Sequence, residues 1–209
     1  MAQQKKSRRA VLAGLGAVAA AGALGTRTTH AQETGFKPAL HPEDAWLSAM
    51  PGTHRIILDV TTPEHVPDAI RFVGNLFTGH KSGYGVEESA LAIVVCFRHS
   101  ATAYGYADAI WAKHGKLIDG KADPVPTAHP FNGPGRTQLT DLAKRGVQFM
   151  VCGTASRGLA GRIAGQGGDT DAVMKDMAAN LIPSARIVPA GVIGVTHAQE
   201  RGFALLYVG

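Results

Sequence analysis

"ALAIVVCFR", residues 90–98, decides how the rest of the chain is read. Eight apolar residues run without a break into Arg98. A short continuous apolar run is the pattern of a strand covered on both faces, not of one with a wet side. The next stretch, "SATAYGYADAIWAKHG" (100–115), reads as a helix with Ser100 as its N-cap and Gly115 as its stop. The same alternation extends outward in both directions. On the N-terminal side, "HRIILDVTT" (54–62) is a β-branched strand. Pro63 then opens "PEHVPDAIRFVGNLFTGH", where Val66, Ile70, Val73 and Phe77 recur at helical spacing. On the C-terminal side, "TQLTDLAKRG" reads as a helix ended at Gly146, and "VQFMVC" (147–152) as a third buried strand. "DAVMKDMAANLIP" (helix), "ARIVPA" (strand), "GVIGVTHAQERG" (helix) and "FALLYV" (strand) complete the chain. Strands alternating with helices imply an α/β domain: a mostly parallel sheet of about five strands with helices on both faces.

Three stretches fall outside that alternation. Residues 32–53 mix Pro, Gly, His and charges without periodicity and read as an N-terminal arm before a domain at 54–209. Residues 119–138 are rich in Pro and Gly and read as a long irregular loop. "GLAGRIAGQGGDTDA" (158–172) lacks the GK[ST] ending of a phosphate loop and the spacing of a dinucleotide fingerprint. It reads as a flexible connection between helices, with Asp169 and Asp171 as caps and first-turn acids of the helix that follows.

The first 31 residues have a basic start, an apolar run from Ala10 to Gly25 and the small-residue ending Thr29-His30-Ala31. That is the form of an export signal, and Ser7-Arg8-Arg9 before Val11 and Leu12 gives it the twin-arginine type. The expected mature chain begins at Gln32 and lies in the periplasm. The apolar run is shorter than the roughly 20 residues of a membrane span, so no membrane attachment is expected after cleavage. The full chain carries 21 Lys plus Arg against 16 Asp plus Glu. Lys5, Lys6, Arg8, Arg9 and Arg27 all lie in the signal, which holds no acid, so the remainder has 16 charges of each sign. The high pI thus belongs to the signal, and no nucleic-acid partner is implied. Two cysteines are too few for a disulfide scaffold.

In such sheets ligands bind beyond the carboxyl ends of the strands. Three ends stand out: Asp59 to Thr62, Arg98 to Ser100, and Cys152 to Ser156. Cys152 is followed by Gly153 and Gly158, which leave room around a sulfur, and Arg157, Arg98 and His99 are cations that could favour its thiolate. Three readings are open. Cys152 is a reactive thiol, a buried filler of the kind Cys96 represents inside its apolar run, or half of a Cys96–Cys152 disulfide. Eight histidines remain after the signal: His41, His54, His65, His80, His99, His114, His129 and His197. None falls in a ligand-spaced cluster, most read as surface residues, and no metal or cofactor is expected. Tyr104 and Trp111 are seven apart on one expected helix and read as core or interface. No GxSxG elbow or triad order is present.

"RGVQFMVCGTASRG" (145–158) resembles the active-cysteine segment of the DsrE/DsrF-like family of sulfur-transfer proteins, with Gly146, Val147, Cys152 and Arg157 in matching places. "IVPAGVIGVTHAQERGFALLYVG" (187–209) resembles that family's last strand–helix–strand unit, and the likeness in element order covers residues 54–209. The resemblance implies a single three-layer α/β/α domain, a small homo-oligomer, and Cys152 carrying sulfur as a persulfide between donor and acceptor proteins. Well-known carriers of the family are cytoplasmic, whereas this chain reads as exported. The expected function is therefore a periplasmic sulfur carrier or sulfurtransferase without ordinary turnover. The alternatives are a non-catalytic module binding a small ligand or metal, and a structural oligomer of the same fold.

Overall fold

A computed structural model describes residues 37–209; the expected export signal lies outside the described residues. The domain is built on five parallel strands: β1 (His54–Val60), β2 (Leu91–Phe97), β3 (Gln148–Cys152), β4 (Ala185–Val188) and β5 (Ala204–Val208). Their order in the sheet is β4-β3-β2-β1-β5. Among the described residues seven α-helices accompany them: α1 (Ala45–Ala49), α2 (Val66–Tyr84), α3 (Asp108–Ile118), α4 (Gln138–Lys144), α5 (Gly153–Ala164), α6 (Thr170–Ala179) and α7 (Gly191–Glu200).

The chain steps outward from β1 to β4 and then returns across the sheet to place β5 beside β1. Right-handed crossovers taken in opposite directions put their helices on opposite faces. Strand parity shows the two layers. Leu58, Val60, Ile93, Val95, Phe97, Phe149 and Val151 point toward a core completed by α2 to α6. Ile57, Val94, Cys96, Met150 and Val188 point toward α1 and α7. The domain is thus a three-layer α/β/α sandwich, as the alternation of strands and helices implies. β2 is buried at all seven positions, the consequence of its central place and of the run at 91–97. β5 is an edge strand, and Leu205, Leu206 and Tyr207 are exposed.

The structure corrects four local expectations. The helix expected over 100–115 divides: His99–Gly105 is a 3-10 helix, Tyr106 and Ala107 are extended, and α3 begins at Asp108. The break is imposed from outside, because Tyr106 bridges Leu181 and the Ala107 N–H donates to the Asn180 carbonyl at 2.7 Å. Ser100 is accordingly no N-cap; its hydroxyl donates to the Thr61 carbonyl. Gly115 is no stop either. It lies inside α3, where a Cβ would sit 1.7 Å from the Pro126 carbonyl oxygen, so it is the surface on which the long loop rests. The glycine-rich connection shrinks to 165–169, since α5 runs through Gly158 and Gly161 to Ala164. Asp169 does cap α6, accepting from the Ala172 N–H at 2.9 Å.

The fourth correction concerns the arm. Its second half belongs to the domain: Leu47 and Met50 are buried against β1 and β2, the Arg55 guanidinium donates to the carbonyls of Leu47 and Met50, and Asp44 meets His197 of α7 at 2.6 Å. The loop between α3 and α4 is irregular as expected, but it is pinned by His129. This ring is fully buried; its Nε2 lies 3.0 Å from the Tyr104 carbonyl and its Nδ1 accepts from the Phe131 N–H. Burial pushes its pKa down to about 4, so it sits neutral. His129 therefore departs from the surface reading given to most histidines, and Tyr104, Trp111 and His129 pack edge to face in the core.

Candidate functional site

Cys152 is the last residue of β3 and the N-cap of α5. A parallel strand must hand its chain to a helix at this edge, so the residue at the junction is held by both. Its Sγ accepts from the Ala155 N–H at 3.5 Å, the sulfur counterpart of an N-cap oxygen. The first turn is fixed further by the buried Ser156 hydroxyl, which donates to the Cys152 carbonyl at 2.8 Å and accepts from the Tyr106 hydroxyl. Glycine is required next: a Cβ on Gly153 would lie 2.7 Å from the Val188 carbonyl oxygen at the end of β4.

A second helix starts at the same place. A Cβ on Gly191, the first residue of α7, would come within 2.6 Å of the Arg98 Cβ and 3.3 Å of the Cys152 Cβ. The absent side chain lets the α7 terminus close over the carboxyl ends of β2 and β3. Two helix N-termini, those of α5 and α7, therefore meet around one sulfur, and each contributes positive partial charge from its free N–H groups. Between them lies a pocket of about 350 Å³ lined by Arg98, His99, Cys152, Ala155, Gly191 and Val192. Cys152 is only 7% exposed, so its thiol is approached through this pocket.

Arg98 is not free to pair with the sulfur. Its Nε and Nη2 donate to the two oxygens of Asp59 at 2.6 and 2.8 Å, a fork that also keeps the guanidinium charged. Asp59 is 4% exposed and stands opposite Cys96 in the β1–β2 register, on the same face. The sequence marked both strand ends but not the pair. Only the parallel, in-register pairing of β1 with β2 brings residues 39 apart in sequence together.

The four singled-out residues thus divide. Cys152, Arg98 and His99 line one pocket. Arg157 instead pairs with Asp171 of α6 at 2.9 Å, both side chains largely exposed. Cys96 and Cys152 are both free thiols, with no disulfide between them. Cys96 is fully buried, its Sγ 3.8 Å from the Gly191 carbonyl oxygen, and burial drives its pKa well above the ordinary thiol value. Among the described residues no group of three or more His, Cys, Asp or Glu side chains gathers where it could hold a metal, and no helix is long and apolar enough to cross a membrane.

No protein-family model matches the chain, and no curated protein matches it. A protein of unknown function from Methanobacterium thermoautotrophicum is similar in structure, with a TM-score of 0.44 and 16% identity over 74% of this chain and 99% of that one.

Proposed function

We propose that this protein is a DsrE/DsrF-like sulfur carrier that holds sulfur as a persulfide on Cys152. The observation that carries the reading is the place of this thiol: at the carboxyl end of β3, accepting the Ala155 N–H of α5, and lining an apolar pocket. Reactive cysteines favour helix N-termini, where the thiolate is stabilised. In loading, the Cys152 thiolate attacks the outer sulfur of a donor persulfide. A new S–S bond forms as the donor's S–S bond breaks, and the donor leaves as a thiolate with the electron pair. Unloading is the same step with an acceptor thiolate attacking the outer sulfur, so no oxidant is needed. The Asp59–Arg98 fork has the role of fixing the pocket wall and keeping a charged guanidinium beside the site.

The test is mass spectrometry after incubation with inorganic polysulfide. Wild type and Cys96→Ser gain sulfur in units of one atom, and Cys152→Ser gains none. Equal uptake by Cys152→Ser ends the proposal. The reading extends to an exported homo-oligomer: it requires a mature protein whose mass begins at Gln32 and light scattering heavier than one chain.

A further inference from the structure

A second cavity lies beside the Cys152 pocket. It measures about 400 Å³, and His99, Thr102, Asp119, Ala155 and Arg162 are among its walls. His99 and Ala155 line both cavities, so the two are neighbours across these residues. Their chemistry differs. The pocket at Cys152 is walled mainly by Ala155, Ala190, Gly191 and Val192, and its one strong cation, Arg98, is already bound to Asp59. The second cavity holds two opposite charges. Among the described residues neither Arg162 nor Asp119 makes an ion pair, with each other or with any other group.

A further group there lacks a partner. Thr102 is 2% exposed, and its hydroxyl makes no hydrogen bond. Its oxygen is closed off from the surface, so the hydroxyl adds polar character to this wall without itself being a ligand contact. His99, standing between the cavities, has a backbone φ of 56°, a left-handed conformation that non-glycine residues adopt at a cost and that concentrates at functional sites.

We propose that the second cavity binds the charged head of the sulfur donor, and that the donor is a small zwitterionic thiol persulfide of the amino-acid type. The inference rests on Cys152 being a sulfur carrier. The donor's carboxylate meets Arg162, its ammonium meets Asp119, and its persulfide passes His99 into the apolar pocket. A bare inorganic anion suits the pair of cavities less well, because the charges lining them come in opposite signs. The chemical step is unchanged: the Cys152 thiolate takes the outer sulfur, and the donor departs as its free thiolate.

Two measurements on the full chain test this. The first compares sulfur loading of Cys152 from cysteine persulfide with loading from inorganic polysulfide. Arg162→Ala and Asp119→Asn each lower the ratio of cysteine-persulfide loading to polysulfide loading by about tenfold, the usual effect of removing one charge-assisted hydrogen bond. The second uses S-methylcysteine, a zwitterion that cannot donate sulfur, followed by ligand-observed NMR. It binds wild type and Cys152→Ser alike and is lost in Arg162→Ala. The proposal is overturned if both donors load all variants equally, or if S-methylcysteine does not bind the wild type. Should Cys152 take sulfur from neither donor, the carrier reading fails by itself. Arg162-dependent binding of S-methylcysteine then still upholds the zwitterion site, and its absence overturns it.

Discussion

Cys96 and Cys152 lie on neighbouring strands and face the same side of the sheet. Cys96 stands opposite Met150, and Cys152 is two residues further along β3. Both are near the start of α7: Cys96 lies under the Gly191 carbonyl, and Cys152 beside the Gly191 α-carbon. That short step separates a thiol with no exposure from one that lines a pocket. The residue type is the same, so the difference comes from position along a parallel strand. Inside β2 the backbone is paired on both sides, and the side chain has only packing partners. At the end of β3 the ladder gives way to the first turn of α5, whose Ala155 N–H donates to the sulfur. A doubly wound sheet thus makes a core of its strand interiors and a binding edge of their carboxyl ends.

The contrast is broken or upheld most sharply by labelling. Iodoacetamide should modify Cys152 in the native protein and reach Cys96 only when the domain opens. Opening free energies of several kcal/mol, at tenfold for each 1.4 kcal/mol, protect Cys96 by about 10³-fold or more. Peptide mapping after timed alkylation reads both sites in one experiment. Rates within tenfold of each other would mean that strand position does not govern access.

A smaller effect tests the shared neighbour. Gly191→Ala puts a rigid Cβ against Arg98 and Cys152, and the α7 terminus must shift to admit it. Overpacking of this kind costs about 2 kcal/mol, and for a domain of this size the melting temperature drops by about 6 °C. Native labelling of Cys152 should change with it, because the same helix start walls the pocket. Gly74→Ala in α2 is the control: nothing lies within 4 Å of its Cβ, and the change should stabilise by about 0.5 to 1 kcal/mol. Equal melting temperatures for the two variants would show that Gly191 does not hold the close approach.

The sheet was legible because each strand is a β-branched or apolar run bounded by breakers, and burial on both faces leaves that mark directly in composition. The Cys152 end was legible for the same reason: a buried run that stops at a cysteine followed by small residues places the thiol at an edge. What escaped depends on partners distant in sequence. Nothing near Tyr106 announces that Leu181 and Asn180 will interrupt the helix there. Leu47 and Met50 form too short an apolar set to reveal that α1 covers β1 and β2. α5 was hidden by its own glycines, Gly158 and Gly161, which have open space at their Cβ positions, while Leu159 and Ala160 carry the packing. Arg157 misled in the opposite sense. It follows the cysteine closely, but the turn of α5 carries it outward to Asp171. The cation beside the thiol is Arg98, the residue after β2, which the sequence also offered and which the β2–β3 pairing brings to the pocket.

The smallest expected effect isolates the buried member of the pair. Burial above all, then the nearby Asp59 and Cys152, push the Cys96 thiol above its ordinary 9.0, against a smaller pull from Arg98. In the unfolded chain the same thiol titrates near that ordinary value. Above pH 9 the unfolded state therefore releases a proton that the native state keeps. The native state then binds more protons, and stability falls as pH rises. Below pH 9 both states are protonated and the contribution is constant. The loss has an upper limit of about 1.4 kcal/mol per pH unit. Urea unfolding of wild type and Cys96→Ala at pH 8 and pH 10 separates this from the tyrosines and lysines that titrate in both proteins. The cavity left by Cys96→Ala lowers stability equally at the two pH values and cancels in the comparison. Wild type should lose about 1 kcal/mol more than Cys96→Ala between the two conditions. Parallel losses would mean that the β2 interior does not hold its thiol neutral, and the distinction between the two cysteines would then rest on access alone.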